Sequence, residues 1–361
     1  MFTRHTRPMH RAVGVHGRSH LQVGLVIAIG FAVAFALTNG FHDAANAIAT
    51  LVATRAATPG QAVVLSAVFN MGGAVLLGTA VADTIGKIVT VPQAQMIPVV
   101  GAALAGATAW NAVTWWRGLP SSSGHALVGG LVGAAVVDGI LSASGGLGSV
   151  QWGGFDGWHP TGVIGVLVAL LISPILGLAV AFVLLRLLRL MSRRWTTRWI
   201  GPVRGGGWIA AAGLSFSHGG NDAQKSMGVI AVLLLSSGQT TTMSVPLWAK
   251  VVTGVALTAG TALGGWRIVK TIGRRIFSLT PIDSLASQAS STAVILGASL
   301  IGAPVSTTQV VASSVVGVGG GRRRWKHVRW QIVREMGIAW LTTIPAAALM
   351  AVAVLLVWRA L

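Results

Sequence analysis

Apolar residues run through this chain in long unbroken segments rather than in alternation with polar ones. A helix needs about 20 predominantly apolar residues to cross a bilayer, whereas the strands of a membrane β-barrel alternate apolar and polar positions. The pattern therefore predicts a multi-pass α-helical membrane protein and disfavours a barrel. The predicted apolar segments lie near residues 21–54, 61–82, 96–116, 120–141, 161–190, 208–235, 247–265, 284–301, 303–318 and 331–357.

Composition supports a membrane protein and limits its partners. Of 361 residues, 53% are hydrophobic and 9% are charged, against about 25% charged residues in soluble domains. The net charge of +19 comes from 26 Lys and Arg against 7 Asp and Glu. These basic residues lie in short stretches between apolar segments, as in loops facing anionic lipid, so we expect bilayer contact and no nucleic-acid partner. Without cysteine, disulfides and thiolate metal sites are excluded.

A polar motif within the first apolar segment returns in the second half of the chain. Residues 39–46 read NGFHDAAN and residues 218–225 read HGGNDAQK, so that Asp43 aligns with Asp222. On a helix each copy forms a polar stripe along one face. The stripes consist of Asn39, Asp43, Asn46 and Thr50 in the first copy, and of His218, Asp222 and Lys225 in the second.

The stripes carry two chemical interpretations. A carboxylate inside the bilayer is costly and usually marks an ion or substrate pathway; carboxylate and amide oxygens suit a hard cation, and a buried carboxylate can instead carry a proton. The alternative is that these residues only hydrogen-bond helices together, which the duplication disfavours. For Lys225, an ion pair with Asp222 and direct substrate contact are both kept.

A second motif is also duplicated. Residues 118–125 read GLPSSSGH and residues 302–309 read GAPVSTTQ. Proline ends one helix and presets the start of the next, so we expect the hydroxyl residues that follow it to lie in a first helical turn. They are Ser121, Ser122 and Ser123 in the first copy, and Ser306, Thr307 and Thr308 in the second.

Free backbone N–H groups, hydroxyls and the positive end of the helix dipole make such a turn an anion site. Two copies predict an anion held between two half-helix N-termini in mid-membrane. The alternative is that these residues only cap helices. An intramembrane hydrolase using Ser122 or Ser123 with His125 is a further alternative, disfavoured because Gln309 in the equivalent position cannot act as a base.

These duplications predict an all-α polytopic fold with two inverted repeats of transmembrane helices, to which the family resemblance described below adds re-entrant helical hairpins. We divide the chain into a basic flexible tail (1–20), a first repeat (21–190), an arginine-rich linker (191–207) and a second repeat (208–361). The linker is predicted to be cytoplasmic by the positive-inside rule. The other aspartates, Asp83, Asp138, Asp156 and Asp283, are interpreted as helix caps or solvated loop residues.

Over nearly the whole chain, the four motifs closely resemble those of the inorganic phosphate transporter (PiT) family. The resemblance implies an inverted-repeat transporter whose re-entrant hairpins hold phosphate. By that likeness the coupling carboxylates are Asp43 and Asp222, with Asn46 and Asn221 as neighbouring oxygen ligands. The implied phosphate ligands are Ser122, Ser123, Ser306, Thr307 and Thr308, with Asn39, His42, His125, Lys225 and Gln309 as supporting residues.

Two departures from the family pattern bear on coupling and symmetry. Sodium-coupled members usually show Asn-Asp in both copies, whereas the first copy here reads His42-Asp43, which looks like the bacterial proton-coupled, low-affinity branch that carries neutral metal–phosphate complexes. H+ is therefore favoured over Na+, and the identity of any divalent metal carried with phosphate stays open. Gly124 stands opposite Thr308, and Gln309 replaces the family's second histidine, so asymmetric phosphate contacts are expected.

The expected function is import of inorganic phosphate in symport with a cation, by a multi-pass protein of a bacterial inner membrane. No enzymatic activity and no cofactor besides the coupling cation are expected. The expected partners are phosphate, the cation and the lipid bilayer, and a homodimer is left open. The alternatives are a Na+-coupled phosphate transporter, a sulfate permease and the intramembrane Ser/His hydrolase.

Overall fold

The computed structural model describes residues 15–142, 146–157, 159–194, 196–263 and 276–360. Most of the predicted basic tail and the basic stretch at 264–275 lie outside them. Within the described residues the helices are α1 (Val15–Ala53), α2 (Pro59–Leu76), α3 (Ala80–Gly86), α4 (Gln93–Arg117), α5 (Ser123–Leu141), α6 (Gly162–Met191), α7 (Ile200–Ser236), α8 (Leu247–Leu263), α9 (Pro281–Leu300), α10 (Thr307–Gly321) and α11 (Trp330–Ala360).

Each predicted apolar segment contains a helix, and the predicted all-α membrane fold is confirmed. Six of the described helices are long and apolar enough to cross a bilayer. One segment is divided: where a continuous run over 61–82 was expected, α2 ends at Leu76 and α3 begins at Ala80. At its other end α2 begins with a capping box, in which Thr58 and Gln61 exchange side-chain to backbone hydrogen bonds.

Two short strands also occur among the described residues. In the Gly/Ser-rich connection between α5 and α6, β1 (Phe155–Asp156) pairs antiparallel with β2 (His159–Pro160). In the arginine-rich linker, short 3₁₀ turns at Ser192–Arg194 and Thr197–Trp199 precede α7. The predicted linker is thus partly helical, since α7 already begins at Ile200.

The second motif forms helical hairpins in both halves. Gly118 (φ 67°) ends α4 and Gly302 (φ 73°) follows α9, a left-handed conformation that glycine adopts without strain. The chain then runs through an extended N-cap residue, Ser122 or Ser306, into α5 or α10. The expectation that Ser121, Ser122 and Ser306 lie inside a first helical turn is wrong, because each helix begins after its N-cap serine.

The two repeats interlock. Helix α1 packs on α8 and α2 packs on α7, while α6 packs on α10 and α11 on α5. The first two pairs cross at equivalent glycines: a Cβ on Gly40 would fall on the carbonyl oxygen of Leu257, and one on Gly219 would fall on that of Asn70. These crossings bring the two polar stripes into the centre of the molecule.

Candidate transport site

The two motif carboxylates lie in the protein interior on different repeats. Asp43 belongs to α1 and Asp222 to α7, and each is only 1% exposed. The predicted hydroxyl residues at the starts of α5 and α10 are buried as well. A group of charged and hydroxyl side chains is therefore enclosed where helices of both halves meet.

Both hairpins contact Asp43. The hydroxyl of Ser123, the first residue of α5, donates to Oδ2 at 3.0 Å, and the hydroxyl of Thr308, in the first turn of α10, donates to Oδ1 at 2.5 Å. One carboxylate thus joins the helix starts of the first and the second repeat. The structure brings together the two stretches that the sequence predicts to hold an anion.

Asp222 has a different set of partners. Thr307 donates its hydroxyl to Oδ2 at 3.1 Å, and the Lys225 ammonium lies 2.5 Å from Oδ1. The ammonium also donates to the carbonyl oxygen of Val305 at 3.0 Å, just before the N-cap of α10. Of the two interpretations of Lys225, the ion pair with Asp222 is the arrangement that the structure contains.

His218 contacts Asp222 and lies near Asp43. Its Nδ1 lies 3.1 Å from Oδ1 of Asn70, and the amide nitrogen of Asn70 donates to Ser66 and Thr261, so Nδ1 is the hydrogen-bond donor to the amide oxygen. In a neutral ring Nε2 is then an acceptor. It lies 3.0 Å from Oδ2 of Asp222 without a well-aligned hydrogen bond, so two acceptors face each other unless a proton or a cation lies between them.

A cation fits this position chemically. One ligand atom each from Asp43, His218 and Asp222 lies within 4.8 Å of the others. The N–H of the other ring nitrogen, Nδ1, donates a hydrogen bond to Asn70, as the second nitrogen of a metal-binding histidine usually does to a fixed acceptor. The three side chains offer two carboxylates and one nitrogen, a set that can hold a divalent cation or share a proton.

The predicted amide ligands use their nitrogens and leave their oxygens free. Asn46 donates through Nδ2 to the hydroxyls of Thr308 (3.0 Å) and Thr307 (3.3 Å). Asn221 donates through Nδ2 to Ser299 at 2.9 Å. The Oδ1 atoms of Asn46 and Asn221 are both buried without a hydrogen-bond partner among the described residues. Because buried acceptors are normally satisfied, these two oxygens are candidate cation ligands.

Two of the predicted phosphate ligands cap helices. The hydroxyl of Ser122 accepts a hydrogen bond from the backbone N–H of His125, and that of Ser306 accepts one from Gln309, both at 3.3 Å. The capping interpretation therefore describes these hydroxyls. The backbone N–H groups of the first turns still lack intrahelical acceptors and keep the capacity to bind an anion.

The supporting residues differ in their connection to the carboxylates. His42 lies next to Asp43, with Nδ1 3.4 Å from Oδ1, and its Nε2 is 3.1 Å from the hydroxyl of Thr114. Asn39 is buried, and neither of its amide atoms has a hydrogen-bond partner in the described part of the chain. The same holds for Nδ1 of His125 and Oε1 of Gln309.

Residues that the sequence analysis did not single out complete the site. Thr114 contacts His42 and also accepts the hydroxyl of Ser121, while Asn70 orients His218 and Ser299 holds Asn221. The available signal was a lone polar residue in an apolar segment. That signal is weak, because polar residues commonly hydrogen-bond between membrane helices.

Comparison with known proteins adds the following. The family model described as "Phosphate transporter family" matches residues 39–204 and 202–351. The chain is 42% identical over 327 residues to a Mycobacterium tuberculosis protein named "Probable low-affinity inorganic phosphate transporter". The aligned region covers 90% of this chain and 75% of that protein. A Bacillus subtilis protein of the same name is 37% identical over 330 residues, covering 90% of this chain and 93% of the relative.

The fold also resembles a solved structure described as "The sodium-dependent phosphate transporter". The TM-score is 0.82, and the match covers 94% of this chain and 100% of that one at 23% sequence identity. At this identity the likeness concerns the fold. It agrees with the duplicated helical architecture described above.

Proposed function

The chain belongs to the phosphate transporter family, and from this premise we propose that it imports inorganic phosphate in symport with a cation, with H+ favoured over Na+. Phosphate transport and the multi-pass membrane location follow from the family. Because the family consists of transporters rather than enzymes, the hydrolase alternative is set aside. The cation, the direction and the residues that act are the content of the proposal.

One observation carries the proposal: Asp43 accepts hydrogen bonds from the hydroxyls of Ser123 and Thr308, which belong to the hairpins of the two repeats. An oxyanion bound to these helix starts would lie beside a negative charge. At 4 Å and an effective dielectric constant of about 20, two like unit charges repel by about 4 kcal/mol. Phosphate therefore binds well only when a cation or proton neutralises the carboxylate, and this requirement couples the two fluxes.

The neighbouring histidines favour H+ as the coupling cation. His42 adjoins Asp43, and His218 directs Nε2 at Asp222 while Nδ1 is held by Asn70. Histidine is the side chain whose ordinary change of charge falls between about pH 5 and 8, which suits a proton relay to a neighbouring carboxylate. Na+ would instead use hard oxygen ligands, for which Oδ1 of Asn46 is available near Asp43. Na+ is therefore the second candidate.

We propose further that phosphate travels as a neutral complex with a divalent metal. The metal is then part of the substrate rather than a resident cofactor. The ligand atoms of Asp43, His218 and Asp222 lie close enough together to contact it. A neutral complex also avoids placing the full charge of phosphate between two carboxylates.

The enclosed position of the site supports alternating access. Ser123, Thr307 and Thr308 are at most 2% exposed, so the substrate reaches them only after helices move. In transporters of duplicated halves, one repeat commonly rocks against the other around a fixed site. Such a motion would make and break the hydrogen bonds that Ser123 and Thr308, at the hairpin tips, donate to Asp43.

The test is phosphate uptake by the purified protein in liposomes, with H+ and Na+ gradients imposed separately. Wild type is expected to accumulate labelled phosphate when the H+ gradient is imposed. Asp43→Asn is expected to accumulate at least about tenfold less, because an amide cannot take up the coupling proton. Asp156→Asn, on the exposed ribbon, is the matched control. Full gradient-driven uptake by Asp43→Asn would remove the coupling role.

Two additions to the same assay address the substrate. Excess arsenate is expected to compete with labelled phosphate and excess sulfate is not, because the family transports phosphate. Removal of divalent metal with a chelator is expected to abolish uptake, and added Mg²⁺ to restore it. Uptake that is indifferent to chelation would contradict the metal–phosphate complex while leaving phosphate transport intact.

A further inference from the structure

The two repeats treat their carboxylates alike at one position. Ser123 begins α5 and donates its hydroxyl to Asp43 at 3.0 Å, and Thr307 begins α10 and donates to Asp222 at 3.1 Å. Ser123 aligns with Thr307 in the duplicated motif. At this aligned position, the hairpin of each repeat donates a hydrogen bond to the carboxylate of the same repeat.

The symmetry ends at the next residue. Thr308 donates to Asp43 and accepts a hydrogen bond from Asn46 at 3.0 Å. The residue aligned with Thr308 is Gly124, and the residue aligned with Asn46 is Lys225. The hydroxyl of Thr308 and the amide of Asn46 thus lie beside Asp43, whereas the aligned positions near Asp222 hold a glycine and a lysine.

The glycine and the lysine occupy one space. A Cβ on Gly124 would lie in van der Waals contact with Lys225, 3.4 Å from Nζ and 3.7 Å from Cε, so a side chain that extends beyond Cβ toward Lys225 would meet the ammonium group. Lys225 itself is 1% exposed and is held between Asp222 and the carbonyl oxygen of Val305. The lack of a long side chain at Gly124 therefore leaves room for the buried ammonium group.

The resulting charges differ between the repeats. Asp222 has a covalently tethered positive charge at contact distance, and a paired ion inside a membrane protein is held strongly because separating it leaves an uncompensated charge. Asp43 accepts hydrogen bonds from neutral hydroxyls and has His42 beside it at 3.4 Å. Asp43 is thus the carboxylate that can gain and lose a mobile cation.

We propose that Lys225 is a built-in cation which permanently neutralises the carboxylate of the second repeat, with Gly124 providing its space. One mobile cation per phosphate then loads beside Asp43. The inference rests on the proposed symport of phosphate with a cation. It assigns Gly124 and Lys225 as the residues that determine how many cations each phosphate requires.

The experiment exchanges the residues between the repeats. The double variant Lys225→Asn with Gly124→Thr gives Asp222 the neighbours that Asp43 has, and the mirror variant Asn46→Lys with Thr308→Gly gives Asp43 the neighbours that Asp222 has. Each is reconstituted in liposomes, and the cation gradient that stops net phosphate flux is measured at a fixed phosphate ratio. That gradient gives the number of cations moved per phosphate.

The first variant is expected to raise the number of cations per phosphate by one relative to wild type. The mirror variant is expected to lower it by one, so that phosphate distributes without regard to the cation gradient. An unchanged number in either folded variant overturns the proposal. Independently of both variants, a wild-type uptake rate that rises with the second power of cation concentration would overturn it.

Failure of this inference is distinguishable from failure of the proposed function. If wild-type protein shows no phosphate uptake driven by a cation gradient, symport itself is wrong. If wild type shows such uptake and the exchanged residues leave its cation number unchanged, symport stands and the role of Lys225 and Gly124 falls.

Discussion

Single aspartates outside the transport site show how this protein accommodates negative charge. Asp283 is buried at the start of α9, where one carboxylate oxygen accepts hydrogen bonds from the backbone N–H (2.7 Å) and hydroxyl (2.6 Å) of Thr280 and lies 2.9 Å from Arg322. Asp156 is exposed in β1. A cap and an ion pair coincide at Asp283, whereas the exposed carboxylate of Asp156 takes part in neither within the described structure.

Replacing Asp283 with alanine is therefore expected to destabilise the fold. The change leaves Arg322 and two capping donors of Thr280 without their acceptor, and removing one partner of a buried ion pair costs about 3 kcal/mol or more. Thermal unfolding in detergent should show a melting temperature lower by several degrees. Asp156→Ala should change the free energy of unfolding by less than about 0.5 kcal/mol. Equal melting temperatures for the two variants would contradict this account.

The aspartates also show what sequence can predict for individual residues. Interpretation as a cap or a solvated residue is right for Asp283 and Asp156. It is wrong for Asp138, which is buried in α5 with its carboxylate 2.7 Å from Arg359 of α11. Capping is encoded within a few residues, whereas the partner of Asp138 lies far along the chain and is brought near only by helix packing.

At the site the same limit applies. The duplicated motif was enough to predict that Asp43 and Asp222 lie with the hydroxyl-rich helix starts. It could not predict that Ser122 and Ser306 cap their helices while Ser123 and Thr308 bond to Asp43. That division depends on helix rotation and on where each helix begins, which sequence fixes only to within a residue or two.

Among the elements, the crossing of α1 and α8 determines where the first polar stripe lies. The backbones approach so closely at Gly40 that a Cβ would overlap the carbonyl oxygen of Leu257. Backbone atoms cannot move aside as a flexible side chain can. Earlier in the same helix, a Cβ on Gly30 would meet nothing within 4 Å, so Gly30 is the control position for Gly40.

Gly40→Ala is expected to separate α1 from α8 and to destabilise the protein by about 1–3 kcal/mol, the usual range for overpacking. Phosphate uptake should fall with it, because Asp43 lies one helical turn further on. Gly30→Ala should be neutral or slightly stabilising, since alanine favours a helix interior over glycine. Melting temperature and uptake measured for both variants check this, and equal behaviour would refute the close crossing.

Element boundaries were predicted unevenly. The hairpin turns were found because Gly118 and Gly302 precede Pro-containing motifs that end a helix. The break between α2 and α3 was missed, because the residues around Gly78 stay apolar and hydropathy does not change there. A helix end inside an apolar run is set by backbone conformation, here the extended residue Leu77, and composition gives little sign of it.

At the scale of the whole molecule, the repeats are continuous in sequence but not separate in space. The predicted division into residues 21–190 and 208–361 follows the duplication, whereas α6 packs on α10 of the second repeat and α11 packs on α5 of the first. The contact of α6 with α10 is intimate: a Cβ on Gly177 would meet the carbonyl oxygen of Val310, and one on Gly317 would meet that of Leu178. Periodicity cannot reveal such exchanged packing, because equivalent helices present the same pattern to either partner.

Interlocked repeats predict that neither half is stable alone and that both halves together are. Expressed separately, residues 1–195 and 196–361 would leave the close-packing glycine faces of α5, α6 and α10, and the face of α11 that packs on α5, against lipid, which fills them poorly. Coexpressed, the halves should copurify through a tag on one of them and restore phosphate uptake in liposomes, because the division falls in the linker. As a control, a division inside α5 after Leu131 should restore neither, since it cuts a buried helix. A single half that is stable and folded by itself would show that the contacts between repeats do not hold the molecule together.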